Sequence, residues 1–148
     1  MQFLFSGCIK DTGLNVYQKN VSIPGYKWDY DFHPSFTFEI KDTASRYNLY
    51  ITTRHTNQYP YSNLWLLVYS GYEGIKPKVK RVELPLADES GKWLGTGIGD
   101  IFEHRIPIQH NTRFDKAGIY HFSLEQNMRI NPLPHVMSIG IRVEKVTP

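Results

Sequence analysis

Cysteine is almost absent from this chain. Cys8 is the only one in 148 residues, so no internal disulfide can form and nothing marks the redox compartment. Long apolar runs are missing too. No stretch approaches the roughly 18 apolar residues of a membrane-spanning helix. Helical periodicity of ordinary length, linkers, low-complexity tracts and internal repeats are likewise lacking. Positive charge is mild, at a net +3. The densest basic cluster, Lys76, Lys78, Lys80 and Arg81, falls short of a nucleic-acid footprint. In a strand, Lys78 and Lys80 would share one solvated face. No nucleic-acid partner is expected.

Catalytic patterns are also scarce. The histidines (His33, His55, His104, His110, His121 and His135) are scattered, with no pair at zinc-ligand spacing. No metal is expected. Ser62, Ser90 and Ser123 lack a nucleophile-elbow context. Asp88, Glu103 and Glu125 could form a glycosidase pair only through a geometry that spacing across strands does not give. The run Gly91-Lys92-Trp93-Leu94-Gly95-Thr96-Gly97-Ile98-Gly99-Asp100 has G-x-G-x-G spacing with no βα unit around it, which excludes a dinucleotide loop. The expectation is a protein without catalytic residues or cofactor.

What is present is alternation. Phe36, Phe38 and Ile40 face one way, with Thr37 and Glu39 facing the other. Tyr47, Leu49 and Ile51 alternate with Asn48, Tyr50 and Thr52. Leu64 to Tyr69 is apolar on both faces, as in a central strand covered on each side. Val79 to Leu84 is charged and suits an edge. Phe102, Ile106 and Ile108 share a face, as do Tyr120, Phe122 and Leu124, and as do Met137, Ile139, Ile141 and Val143. An early strand near Leu14 to Lys19 brings the total to about eight, separated by Gly, Pro, Asn and Asp. This pattern predicts an all-β fold: a single antiparallel two-sheet β-sandwich, jelly-roll-like, with Phe38, Leu49, Leu66, Phe122, Leu124 and Ile141 in its core. Gln126 falls on the same face as Phe122 and Leu124. It must therefore be buried and hydrogen-bonded, and Arg129, past the strand end, is expected to reach a carboxylate or loop carbonyls.

Cys8 follows Leu4-Phe5-Ser6-Gly7. A small-small-Cys sequence behind an apolar stretch resembles the lipobox of a bacterial lipoprotein, whose cysteine carries acyl chains after signal cleavage. Met1 to Phe5 is shorter than the about 7–15-residue apolar stretch of a secretory signal and carries no Lys or Arg. Two alternatives stand: residues 1–8 are the remnant of a lipoprotein signal before a domain spanning 9–148, or Cys8 is an ordinary buried thiol.

Two further stretches stand out. If the glycine-rich run is extended, Gly95, Gly97 and Gly99 leave one face bare for a backbone, a ring or a ligand. The simplest occupant is Trp93 or another ring of the protein. Arg54 to Leu64 forms a loop crowded with tyrosines, in which Pro60 presets a turn and Asn57 and Asn63 can bond local backbone. Its rings could anchor a partner, stack on sugars, or cover the end of the sandwich.

Tyr47-Asn48-Leu49 followed by Tyr59-Pro60-Tyr61-Ser62-Asn63-Leu64 resembles the gliding-motility lipoprotein GldH family. So do Gly91-Lys92-Trp93-Leu94-Gly95 with Gly97 to Asp100, Glu125-Gln126-Asn127-Met128-Arg129, and Gly140-Ile141-Arg142-Val143-Glu144-Lys145. The resemblance runs from about Cys8 to Lys145. Phe5 and Asn127 depart from the family's commoner residues. The resemblance implies an exported lipoprotein acylated at Cys8, associated with gliding motility and the linked protein-secretion apparatus. The expected partners are the membrane, through the N-terminal lipid, and proteins of that machinery. The expected contact residues are Tyr59, Tyr61, Asn63, Trp93 and Arg129. Ile9-Lys10-Asp11-Thr12 lacks an acidic run that would suggest surface display, so an outer-membrane lipoprotein facing the periplasm is expected. A carbohydrate-binding module using Tyr59, Tyr61 and Trp93 is the alternative, and a sandwich-fold hydrolase a third.

Overall fold

A computed structural model describes residues 14–147. Cys8, the lipobox and the division at residue 8 lie outside the described residues. The chain is all-β. Its strands are β1 (Leu14–Ser22), β2 (Lys27–Trp28), β3 (Ser35–Ile40), β4 (Tyr47–Thr56), β5 (Asn63–Tyr72), β6 (Lys78–Pro85), β7 (Thr96–Ile98), β8 (Ile101–Thr112), β9 (Gly118–Gln126), β10 (Leu133–Pro134) and β11 (Val136–Lys145). They form three antiparallel sheets with orders β1-β11-β4-β8-β7, β3-β9-β5-β6 and β10-β2. About eight strands in two sheets is therefore corrected, among the described residues, to eleven in three. The excess lies in β2, β7 and β10, which have only two or three residues each. Such short pairings leave too little alternation to register as a strand in the sequence.

The two larger sheets share one apolar core. Phe36, Phe38 and Ile40 of β3 are buried while Ser35, Thr37 and Glu39 are exposed, the period-2 pattern of a half-buried strand. Leu49 and Ile51 of β4, Leu64 and Leu66 of β5, Leu124 of β9, and Ile139, Ile141 and Val143 of β11 complete the interior. All six expected core residues lie in it. Phe38 ties the sheets together, with ring centroids 5.3 Å from Tyr17 of β1 and 5.6 Å from Phe122 of β9. β6 is an edge strand with almost every side chain in solvent, as its charge predicts.

β5 differs from expectation. It is paired on both sides, but only its inner face is buried. Trp65, Leu67 and Tyr69 are half-buried, because neighbouring long side chains cover them in place of a further layer. Arg81 lies 3.8 Å over the Trp65 ring, and Tyr69 donates to Glu125 at 3.1 Å.

The Gly140–Lys145 motif does structural work on the outer face. Gly140 sits in the register Asn20–Gly140–Thr52 across β1, β11 and β4. Thr52 Oγ1 donates to Asn20 Oδ1 at 2.7 Å directly over it. A Cβ on Gly140 would collide with both side chains and with the Lys19 carbonyl of β1. Further along β11, Arg142 Nε donates to the fully buried Glu144 at 2.6 Å, with Arg105 at 3.7 Å from the same oxygen. Two guanidiniums thus offset part of the cost of taking that carboxylate out of water; both face Oε2, and among the described residues the buried Oε1 has no hydrogen-bond partner.

Two stability outcomes follow. Leu124→Ala removes a fully buried side chain from the middle of the core and should cost about 2–5 kcal/mol in urea unfolding. Gly140→Ala should detach β1, read as faster amide exchange across Leu14–Ser22 with β5 and β9 still protected. Unchanged exchange in β1 would contradict the clash.

Candidate interaction site

The tyrosine loop, residues 57–62, joins β4 to β5 at the end of the molecule opposite the start of β1. Local bonds set its shape: Tyr59 N–H donates to Thr56 O at 3.1 Å and Gln58 N–H to Thr56 Oγ1 at 3.2 Å. The two asparagines bond across the fold and not to local backbone as expected. Asn57 donates its backbone N–H to Asp100 O at 2.8 Å, holding the β7–β8 turn, and Asn63 Nδ2 donates to Glu83 Oε2 at 2.7 Å.

Tyr59 is a correction. It is only 4% exposed, and its hydroxyl donates to Asn63 O at 2.7 Å. Burial, with Tyr61 beside it, pushes its phenol far above the usual range. It offers no surface to a partner or a sugar. Tyr61, half-buried, packs its edge on Tyr59 with centroids 5.9 Å apart.

Tyr61, Asn63 and Arg129, three of the expected contact residues, meet around one hollow. It has a volume of about 220 Å³, and Trp65, Arg81 and Met128 complete its wall. The wall is internally tied: Arg81 Nε donates to Asn127 Oδ1 at 2.7 Å, and Asn127 N–H donates to Trp65 O at 2.8 Å. Arg129 is exposed and, among the described residues, has neither carboxylate nor carbonyl partner. The expected reach to a carboxylate or loop carbonyl is thus not made, because the loop turns the side chain outward at the rim.

Gln126 makes that placement possible. It is fully buried; its amide donates to Ile130 O at 3.0 Å and its carbonyl accepts from Met128 N–H at 2.8 Å. One side chain thereby folds the segment carrying Met128 and Arg129 back over the end of β9. Its structural role is the one read from the alternation.

Trp93 belongs elsewhere. Its ring lies 4.5 Å from His55, 5.8 Å from Phe102 and 6.5 Å from Tyr59, and it does not line the hollow. Gly95 and Gly97 are covered by the protein's own rings, His104 and Phe102, whereas Gly99, at φ +61° in the β7–β8 turn, faces open space. A Cβ on Gly97 would come 2.7 Å from Phe102, and one on Gly95 would come 2.8 Å from His104.

No spacing in the chain signals the histidine pair under this cover. His55 of β4 and His104 of β8 are both buried, and their Nε2 atoms lie 2.9 Å apart. His55 Nδ1 lies 2.8 Å from Thr56 O, so it carries the proton. His55 Nε2 must then accept, and His104 Nε2–H donates to it. Both rings are neutral in this arrangement. Burial lowers the pKa of His55, and burial with His55 alongside lowers that of His104 to about 4. Only a signal of facing strands, two inward positions each carrying His, could have revealed the pair. Among the described residues no group of three or more His, Cys, Asp or Glu gathers as metal ligands.

The chain matches the GldH lipoprotein family over residues 15–143. It belongs to that family. The gliding motility lipoprotein GldH homolog of Christiangramia forsetii is 33% identical, covering 96% of this chain and 89% of that one. Gliding motility lipoprotein GldH of Flavobacterium johnsoniae is 27% identical, covering 82% and 79% respectively. The infectious bursal disease virus VP2 subviral particle is 14% identical over 89% of this chain and 31% of that chain, with a TM-score of 0.32, too loose a likeness to bear on fold or function. In this GldH family member, three of the motifs that carry the resemblance surround the two neighbouring features just described. Tyr59–Leu64 and Glu125–Arg129 build the hollow, and Gly91–Asp100 covers the histidine pair.

Two measurements probe this region. Unfolded histidine titrates near pH 6.5 and folded His104 near 4. Between those values the unfolded chain binds the extra proton, so stability is fully present above about pH 6.5 and falls as pH drops toward 4. The loss should be on the order of 2–3 kcal/mol in urea unfolding, and His104→Gln should flatten it. Gln126→Leu should cost about 1–3 kcal/mol through unpaired loop groups and speed amide exchange at Met128; unchanged exchange would refute its organising role.

Proposed function

We propose that this protein is an envelope-anchored lipoprotein acting as a non-catalytic interaction and assembly component of gliding motility and its associated protein-secretion apparatus. Cys8 carries the acyl anchor, and the domain faces the periplasm from the outer membrane. Family membership supports the lipoprotein and motility parts of this reading. The hollow of Tyr61, Asn63 and Arg129 supports the interaction part. It joins an aromatic ring, an amide and an exposed guanidinium on a braced wall, the residue types that anchor protein interfaces. The eight long strands divide as β1-β11-β4-β8 and β3-β9-β5-β6, and the chain crosses between sheets at every step except β5–β6. That winding supports a two-sheet sandwich of jelly-roll type.

A carbohydrate-binding module finds less support. Of its three stacking rings, Tyr59 is buried and Trp93 is engaged by His55 and Phe102. Trp65, the remaining large ring at the hollow, already carries Arg81 on its face.

The test is complementation of a deletion strain with variants carrying an intact export signal, scored by membrane fractionation and cell spreading. Cys8→Ser should release the protein from membranes and abolish spreading. Tyr61→Ala/Arg129→Glu should leave it anchored and folded yet reduce spreading. Tyr59→Ala should act through folding, costing about 3 kcal/mol or more. Full spreading by both the unanchored protein and the hollow variant would defeat the proposal.

A further inference from the structure

The two ends of this molecule differ in charge, and one of them is tied to the N-terminus. Leu14, Lys145, Tyr47 and Thr112 are neighbours in register across β1, β11, β4 and β8. The start of β1 thus lies at the same end as the turns 41–46, 73–77 and 113–117. These turns and the adjoining strand start carry Lys41, Arg46, Lys76, Lys78, Arg113 and Lys116, all exposed. Among the described residues none of the six has a carboxylate partner. Lys145 is neutralised by Asp42 at 3.0 Å. The other carboxylates of this end are Glu73, 3.4 Å from His121, Asp115, and Glu39, in register with Ile119. Among the described residues this end therefore has an excess of three positive charges, as large as the net +3 of the whole chain. The opposite end carries Asp29, Asp31, Asp88, Glu89 and Asp100 against Lys27, Lys92 and Arg129.

The basic end is also shaped. A hollow of about 470 Å³ opens there, with Tyr72, Phe114 and Tyr120 in its floor and Lys76, Lys78, Arg113 and Lys116 at its mouth. Ile75, at the tip of the turn between β5 and β6, is 60% exposed and is followed directly by Lys76. An exposed aliphatic side chain among cations is the composition of a membrane-interface contact.

We propose that this end docks on the surface of an anionic phospholipid bilayer, with Lys76, Lys78, Arg113 and Lys116 on headgroup phosphates and Ile75 among the headgroups. The orientation rests on the proposed anchor at Cys8. Leu14 lies six residues beyond Cys8 in the chain, a reach of at most about 20–22 Å. β4, ten residues long, spans roughly 33 Å. The acidic end cannot rest on the bilayer while Leu14 stays within reach of the anchor. The basic end can, and charge holds it there. The hollow of Tyr61 and Arg129 then points away from the membrane.

The test uses the full-length Cys8→Ser chain, so that no acyl group contributes, in co-flotation with vesicles. Vesicles of equimolar phosphatidylcholine and phosphatidylglycerol should enrich the protein, and salt should reverse the enrichment. Phosphatidylcholine vesicles alone should not. Lys76→Glu/Lys116→Glu should weaken binding at least about tenfold, each basic residue being worth roughly a fivefold change near an anionic surface. Lys27→Glu/Lys92→Glu, equal in charge but placed elsewhere, should leave binding within about twofold. Equal loss in both doubles, or no preference for the anionic vesicles, overturns the docking surface. The anchor is read separately, as the acyl mass on Cys8 of wild-type protein from membranes. Its absence would overturn the anchor without touching the vesicle result.

Discussion

The insertion of β11 between β1 and β4 is the constraint on which the five-stranded sheet depends. Among the described residues, β11 supplies the only partner of β1, and it also separates β1 from β4. This sheet cannot form from local hairpins; it waits for the two ends of the chain to meet, the kind of non-local closure that slows β folding. Gly140 is where the closure is tightest. The Asn20–Thr52 hydrogen bond spans two strands over a residue with no side chain. A strand glycine ordinarily weakens a sheet. In this position its lack of a Cβ lets two flanking strands bond to each other as well as to the one between them.

The legible parts of the fold are those in which one face of a strand meets the core and the other meets water. Phe36, Phe38 and Ile40 in β3 are the clearest case, and Gln126 was readable because it broke an apolar row at a position the alternation required to be inside. Where both faces are covered the pattern loses its meaning. Asn48 and Thr52 are nearly as buried as Leu49 and Ile51, because long side chains lie over the outer face of β4. Strands of two residues, such as β2 and β10, hold no period at all. Their pairing depends on where the chain has already been placed.

The site was legible in composition but not in arrangement. The sequence marks Tyr59 and Tyr61 equally; the backbone sends one inward and the other to the rim, as neighbours two apart with Pro60 between them can do once the turn bends the chain. Trp93 and Tyr61 look like members of one surface in the sequence, yet only Tyr61 lines the hollow, while Trp93 packs on His55 and Phe102. The histidine pair lay forty-nine positions apart and became adjacent only through the register of β4 with β8. Contacts between strands are set by register, and a single chain read without its pairing does not contain it.

These features give the molecule a direction. Strands of up to twelve residues run between a basic end, where the N-terminal strand starts, and an opposite end carrying the braced hollow. With the anchor and docking surface as proposed, a load between membrane and partner would run nearly parallel to the strands. β1 receives it at Leu14 and passes it to β11 through a ladder extending to Ser22 and Ser138. Tension along that axis shears the ladder, so its hydrogen bonds resist together and do not open one at a time. The Asn20–Thr52 bond carries β1 across β11 to β4, in the middle of the sheet. A tether attached to an edge strand is a weak attachment when that strand can peel. Here the closure that makes the sheet slow to form is the same one that holds the tethered strand in place.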